Sequence, residues 1–385
     1  MDGTPGPLGP IVCVVGARPN YMKMAPLVRA FAARPDMPQV VLVHTGQHYD
    51  VAMNERLFTD LDLPAPDINL EVGSGSHAVQ TAEVMRRFEP VLAKWRPCAV
   101  VVVGDVNSTL ACSLVATKLD VPVVHVEAGL RSFDRSMPEE INRVLTDQIA
   151  DRLYTTERSA SDHLTREGIA EERICFVGNV MIDSLQSARP MARPAAQTLE
   201  SHGVGAAVLE DPNGHGVVTL HRPSNVDRPE ALASLLETLT EVSRMLPLVF
   251  ALHPRTRANI ERFGLADAID PARMVMLPPQ GYLEMLGLLD RATVVLTDSG
   301  GLQEETTALG TPCLTLRENT ERPITVEQGT NALVGRDREA ILDGVRAIVA
   351  GQGKRGRVPE LWDGATAPRI AADLWQWLGA SPRAA

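Results

Sequence analysis

The sequence has no excess of positive charge, no apolar run long enough to cross a bilayer and few cysteines. Each shortage removes a class of function. Lysine and arginine number 37 against 48 aspartate and glutamate, a formal net charge of −11. Such a chain is a poor general partner for nucleic acid or a membrane surface. It can still take a small anion, because local arginines and helix N-termini bind phosphate on an acidic protein. No apolar stretch approaches the roughly 20 residues that a transmembrane helix needs. The first ten residues are rich in Gly and Pro and lack the basic-then-apolar pattern of a secretory signal, so a cytoplasmic location is expected. The five cysteines, Cys13, Cys98, Cys112, Cys175 and Cys313, include no C-x-x-C pair. They read as small buried hydrophobes in a reducing compartment, and no metal site is expected. The dinucleotide fingerprint is also missing: the first strand ends on Gly16 alone, not on G-x-G-x-x-G.

What is present is alternation. The 385 residues suffice for two domains with a core in each. The organising stretch is residues 100–147. Apolar runs at 100–103 and 121–126 predict buried parallel strands, with a crossover helix at 108–118 between them. Asp105 follows the first strand and Glu127 ends the second. Glu139 and Glu140 fall in the first turn of a helix opened by Pro138. In an open α/β sheet the carboxyl ends of the strands face the ligand crevice, so Asp105, Glu127 and Glu139 are expected to converge on one cleft. A plainer reading competes for some of them. An Asp after a strand often caps the next helix, and acids in a first turn favour the helix dipole. Glu127 has no such alternative, because Ala-Gly-Leu-Arg follows it rather than a helix start. His125, inside the strand, reads as a satisfied core histidine.

Before this stretch, a strand at 11–15 runs into Gly16-Ala17-Arg18-Pro19-Asn20 and a helix at 21–33. Arg18 and Lys23 there suit a phosphate or carboxylate better than a core. A second strand at 40–43 precedes a polar, histidine-bearing loop at 44–50. Residues 63–76 read as loop, 77–95 as helix, and 153–155 and 174–177 as strands. Arg/Pro-rich 189–194 and Gly/Asp/Pro-rich 202–216 mark a domain boundary. The alternation then restarts, with strands at 217–220, 248–252, 293–296 and 313–316 and a helix at 302–309. Ser299-Gly300-Gly301 before that helix outlines a phosphate cradle of close backbone and free N–H groups. His221, His253 and Arg317 follow equivalent strand ends. Glu305, one turn into the helix, either accepts from ribose hydroxyls or faces solvent. The expected architecture is two doubly wound parallel-sheet α/β domains, 1–188 with the carboxylates and 189–366 with the nucleotide. A C-terminal helix within 367–385 is expected to pack back across the joint. Acids on one domain and a phosphate cradle on the other fit a nucleotide sugar.

The motifs GARPNYMKMAPL, HTGQHYD, GDVNST, VEAGLRSFDRSMPEEINR, GNVMIDSL, LHRPSN, HPRTR, DSGGLQEE and LRENTERP occur in that order between residues 16 and 323. In this the chain resembles the non-hydrolysing UDP-N-acetylglucosamine 2-epimerases. The resemblance implies two Rossmann-like domains facing a central cleft, as in GT-B glycosyltransferases, in a homodimer without redox cofactor or metal. It implies reversible epimerisation at C2 of UDP-N-acetylglucosamine (UDP-GlcNAc) to UDP-N-acetylmannosamine (UDP-ManNAc), through elimination of UDP to a 2-acetamidoglucal and re-addition. Asp105, Glu127 and Glu139 would be the catalytic carboxylates. His221 and Arg143 would contact the diphosphate or steady the acids. Ser299, Gly300 and Gly301 would hold phosphates and Glu305 the ribose. Arg18 and Lys23 would serve the nucleotide end or cleft closure, and Arg317 would add to the anion site with His253 nearby. Departures from common members leave a related UDP-2,3-diacetamido-uronic acid as an alternative substrate, and the rival readings are a hydrolysing epimerase, a GT-B glycosyltransferase and a non-catalytic nucleotide-sugar sensor. A role in polysaccharide or antibiotic biosynthesis follows the same resemblance. Many bacterial members carry a second, activating UDP-GlcNAc site. Here Gln47, His48 and Arg222 match it, but Pro223 and Ser224 replace an Arg and a Glu, so the site is expected to be weak or absent.

Overall fold

The computed structural model describes residues 8–46 and 58–380. Gln47 and His48 lie outside the described residues. The chain divides into two units, one of residues up to Ser187 together with those from Glu360 onward, the other Ala188–Pro359.

The first unit is a seven-stranded parallel sheet. Its strands are β1 (Ile11–Val15), β2 (Val40–His44), β3 (Ile68–Asn69), β4 (Ala99–Val103), β5 (Val123–Ala128), β6 (Arg152–Thr155) and β7 (Ile174–Phe176), in the order β3-β2-β1-β4-β5-β6-β7. The central strands IVCVV and AVVVV are wholly buried, as β-branched runs covered on both faces must be. The sheet order reverses between β1 and β4, which defines a topological switch point at their carboxyl ends. Helix Thr366–Ala380 belongs to this unit, and the chain rejoins it at Glu360 rather than at residue 367. Asp183 accepts from the backbone N–H groups of Thr366 and Ala367 (3.1 and 2.6 Å) and so fixes the start of that helix.

The second unit repeats the plan with six strands: β8 (Gly216–Thr219), β9 (Leu248–Ala251), β10 (Met274–Leu277), β11 (Val294–Thr297), β12 (Cys313–Thr315) and β13 (Asn331–Leu333). Their order is β10-β9-β8-β11-β12-β13, again parallel throughout. Its switch point lies between β8 and β11. Leu220, Leu236, Phe250, Leu296 and Leu316 lead the core on one face, and Leu199, Val217 and Leu288 the core on the other. The expected fold class, two Rossmann-like doubly wound parallel sheets, is the one observed.

Several expectations change. Strands β3, β10 and β13 were not expected. Each is two to four residues long. His44 completes β2 instead of opening a loop. It is buried, 2.5 Å from the Tyr21 hydroxyl through Nε2. The first helix starts at Arg18, not at residue 21, with Pro19 in its first turn. Among the described residues no helix is long and apolar enough to cross a membrane.

Candidate active site

At the switch point of the first unit, Asn20 ties the β1 turn to β4. Its side-chain oxygen accepts from Gly16 N and Ala17 N (3.1 and 3.0 Å), and its amide donates to Val103 O at 3.0 Å. Lys23, one turn further along the same helix, points the same way. Its Nζ donates to Glu127 Oε1 at 2.6 Å, and both side chains are almost wholly buried. Gly104, directly after β4, adopts φ +65°. A Cβ there would lie 3.0 Å from Lys23 Nζ and 3.8 Å from Glu127 Oε1.

Glu127 is placed by an irregularity. The β5–β6 register shifts between Val126 and Ala128, and Glu127 has φ +72°. A bulge of this kind re-aims a side chain off the regular pleat. Left-handed backbone in a non-glycine residue costs on the order of 1–3 kcal/mol and concentrates at functional sites. The sequence placed Glu127 at a strand end but could not foresee the bulge.

Asp105 lies directly after Gly104 and meets Arg143 from helix Pro138–Ile149, Nη2 to Oδ2 at 2.6 Å. Arg143 Nη1 donates to Glu140 Oε2 at 2.8 Å. Asn142, on the same helix, donates to the Asp105 carbonyl at 2.9 Å. The two acids of the first turn part company. Glu139 is half-buried, while Glu140 is buried and accepts from Ser132 and Phe133. Arg18 opens the helix that carries Lys23. His125 is a core residue as expected: Nδ1 meets Asp147 at 2.7 Å and Nε2 meets Gly104 O at 2.8 Å.

In the second unit Asp298, at the end of β11, organises the turn after β8. It accepts from His221 N and Arg222 N (3.0 and 2.9 Å) and from the Asn225 amide at 3.0 Å, and it lies 2.8 Å from His221 Nδ1. Burial alone would raise its carboxyl, but the His221 ring and the backbone N–H groups hold it below the usual carboxylate range. With Nδ1 on Asp298, the other ring nitrogen of His221, Nε2, is the one a ligand could meet. The His253 ring lies 5.7 Å away, and His253 Nδ1 accepts from Arg255 N as the cap of helix Pro254–Phe263.

The glycines sit inside their helix, not before it: helix Gly300–Leu309 has Ser299 as its N-cap, with no side-chain cap bond. Gly300 and Gly301 thus contribute first-turn N–H groups, which have no intrahelical partner. A Cβ on Gly300 would stand 2.6 Å from Glu321 Oε1. Glu321 accepts from Arg317 Nη2 at 2.8 Å, with Arg222 Nη2 at 3.7 Å. Burial would raise Glu321, yet Arg322, Arg317 and Arg222 together hold it far below the usual range. Arg317, expected to add to the anion site, pairs with Glu321 here. Glu305 is buried and faces Tyr282, whose hydroxyl is pushed up by burial and by that charge. The solvent-facing alternative for Glu305 is excluded.

Residues the sequence did not single out are Asn20, Asn142, Asp298 and Glu321. One signal was readable. Asp298 ends a buried strand just as Glu127 does.

A family model described as UDP-N-acetylglucosamine 2-epimerase matches residues 29–374. Over 339 residues the sequence is 42% identical to the UDP-N-acetylglucosamine 2-epimerase of Methanocaldococcus jannaschii, covering 87% of this chain and 91% of that protein. It is 41% identical over 339 residues to the UDP-2,3-diacetamido-2,3-dideoxy-D-glucuronate 2-epimerase of Pseudomonas aeruginosa, with the same coverage. The crystal structure of the M. jannaschii enzyme in complex with UDP-GlcNAc and UDP matches with a TM-score of 0.83 at 40% identity, covering 94% of this chain and 99% of that one.

Proposed function

This chain belongs to the UDP-N-acetylglucosamine 2-epimerase family, and we propose that it interconverts UDP-GlcNAc and UDP-ManNAc by inverting C2. C2 of the sugar has no neighbouring carbonyl, so direct removal of its proton is unfavourable. Loss of UDP gives C1 oxocarbenium character and makes the C2 proton labile. The C1–O bond breaks, a carboxylate takes the proton, and the C–H electron pair becomes the C1=C2 bond of 2-acetamidoglucal. Proton delivery to the opposite face of C2 and re-addition of UDP at C1 complete the inversion. This chemistry needs an acid and a base around C2 and cations for the departing diphosphate.

Asp105, Glu127 and Glu139 supply the carboxylates. Lys23 and Arg143 set the charge around two of them. Gly300 and Gly301 present N–H groups to the phosphates beside Ser299, with His221, His253 and Arg317 around the anion. Glu305 takes the ribose. What carries this reading is the pairing of Asp105 and Glu127, at the carboxyl ends of adjacent strands, with separate buried cations. A single catalytic acid would not require that arrangement. The enzyme acts as a homodimer in the cytoplasm and needs no cofactor. Its second nucleotide site is weak or absent.

The test is incubation of UDP-GlcNAc in deuterated water, followed by NMR. UDP-ManNAc carrying deuterium at C2, with little free sugar, is the expected product. Release of free ManNAc would identify a hydrolysing epimerase, and transfer to an acceptor a glycosyltransferase. The Pseudomonas relative favours a second arm, with the UDP-2,3-diacetamido-uronic acid as substrate. Faster exchange there would reassign the substrate and leave the chemistry unchanged.

A further inference from the structure

Glu140 stands beside Glu139 in sequence and reaches no strand end, yet it is buried and accepts four hydrogen bonds. Ser132 N donates at 2.9 Å, Ser132 Oγ at 3.0 Å, Phe133 N at 2.9 Å and Arg143 Nη1 at 2.8 Å. A buried carboxylate is tolerated only with partners of this kind. Arg143 is itself buried and is held at both ends, Nη1 on Glu140 and Nη2 on Asp105. Its guanidinium is a rigid planar fork. Fixing one arm on Glu140 therefore fixes the direction of the other toward Asp105.

The same carboxylate also holds the loop before the helix. Phe133 has φ +58°, a region that L side chains rarely adopt, and its ring is largely exposed. The bond from Phe133 N to Glu140 spans this turn. Asp134 Oδ1 then accepts from Ser136 N at 3.0 Å and leads the chain into Pro138 and Glu139. One side chain thus sets both the arm of Arg143 on Asp105 and the path of the segment that delivers Glu139.

The structure assigns to Glu140 the role of a positioning residue that acts on C2 chemistry through Arg143 and Asp105. This rests on the reading of Asp105 as a catalytic carboxylate. Glu140 contacts no reacting atom. Its effect belongs in the chemical step, because aim and not substrate affinity is what it supplies.

The experiment is steady-state kinetics on Glu140→Gln, alone and combined with Asp105→Asn, with C2 deuterium exchange for the slow variants. Glu140→Gln is expected to lower kcat by roughly 10²-fold, the scale of a small misplacement, with KM unchanged. On the Asp105→Asn background it should cost far less, since its principal target is gone and only its hold on the segment before Glu139 is left. If Glu140→Gln proves unfolded by circular dichroism, Arg143→Lys carries the test. It keeps the charge but cannot span two acids, and it should give the same loss in kcat at constant KM. A rise in KM with normal kcat, or an equal further loss on the Asp105→Asn background, would overturn the proposal. Near-normal turnover in Asp105→Asn alone would instead remove the reading of Asp105 on which it stands.

Discussion

Lys23 Nζ lies 2.6 Å from Glu127 Oε1 across a sequence separation of 104 residues, with both side chains almost fully buried. One comes from the helix after β1 and the other from the bulged end of β5. Removing one partner of such a pair leaves an uncompensated buried charge, which typically costs about 3–5 kcal/mol. Lys23→Met should lose stability on that scale in urea titration. Lys23→Met combined with Glu127→Leu should recover much of it, though not the activity. A single variant as stable as the parent would mean that the pair is not formed in solution.

The three carboxylates should each matter to turnover, and Glu127→Gln should also lose stability because it leaves the buried Lys23 without its counter-charge. Asp105→Asn, Glu127→Gln and Glu139→Gln are each expected to lower kcat by at least ~10²-fold, the usual scale for a positioned acid or base. Wash-in of deuterium at C2, measured beside product formation, separates loss of proton removal from loss of proton return. A variant with near-normal turnover drops off the catalytic list.

Gly300 is replaceable only at a cost. Its Cβ would enter the space of Glu321 Oε1, 2.6 Å away, at the start of the helix proposed to offer N–H groups to phosphate. Gly300→Ala should destabilise the second unit by about 1–3 kcal/mol, as overpacking does. It should also weaken UDP binding in calorimetry while leaving the acids of the first unit untouched. Unaltered UDP affinity would place the nucleotide elsewhere.

Asp298 makes stability depend on pH with a definite sign. Burial pushes its carboxyl up, but bonds to His221 and to backbone N–H groups win and leave it below the ordinary value. A carboxyl depressed in the folded state adds stability above the unfolded pKa of about 3.9, and that stability is lost as pH falls through the lower folded value. Asp298→Asn should therefore be less stable than the parent near neutrality by about 1.5–3 kcal/mol, the range for a hydrogen bond to a charged group. The gap should shrink as pH drops below about 4. A gap constant down to pH 2 would contradict the ionised, hydrogen-bonded Asp298.

The second nucleotide site should be weak. Pro223 opens the short helix Pro223–Val226 and brings no N–H, and Arg222 is turned toward Glu321. Pure UDP-ManNAc, with no UDP-GlcNAc added, should turn over at once along a hyperbolic rate curve. A lag abolished by traces of UDP-GlcNAc would establish a working activator site.

Sequence alone determined the strands that are long and apolar, their alternation with helices, and the acids at their carboxyl ends. AVVVV and VVHVEA can be little other than buried strands, and a parallel sheet turns all their ends one way. That is why Asp105, Glu127, His221 and Ser299 were legible as candidate site residues, and why the two doubly wound sheets were legible too. Tertiary structure decided the rest. The short strands β3, β10 and β13 exist because a neighbouring strand offers hydrogen bonds, which no local pattern encodes. The aim of Glu127 comes from a bulge in the ladder with β6. The choice of Glu140 over Glu139 for the interior depends on where Ser132, Phe133 and Arg143 come to rest. Arg317 became the partner of Glu321 for the same kind of reason. A charge meets its counter-charge through space, and the distances that decide such pairings arise only once the chain has folded.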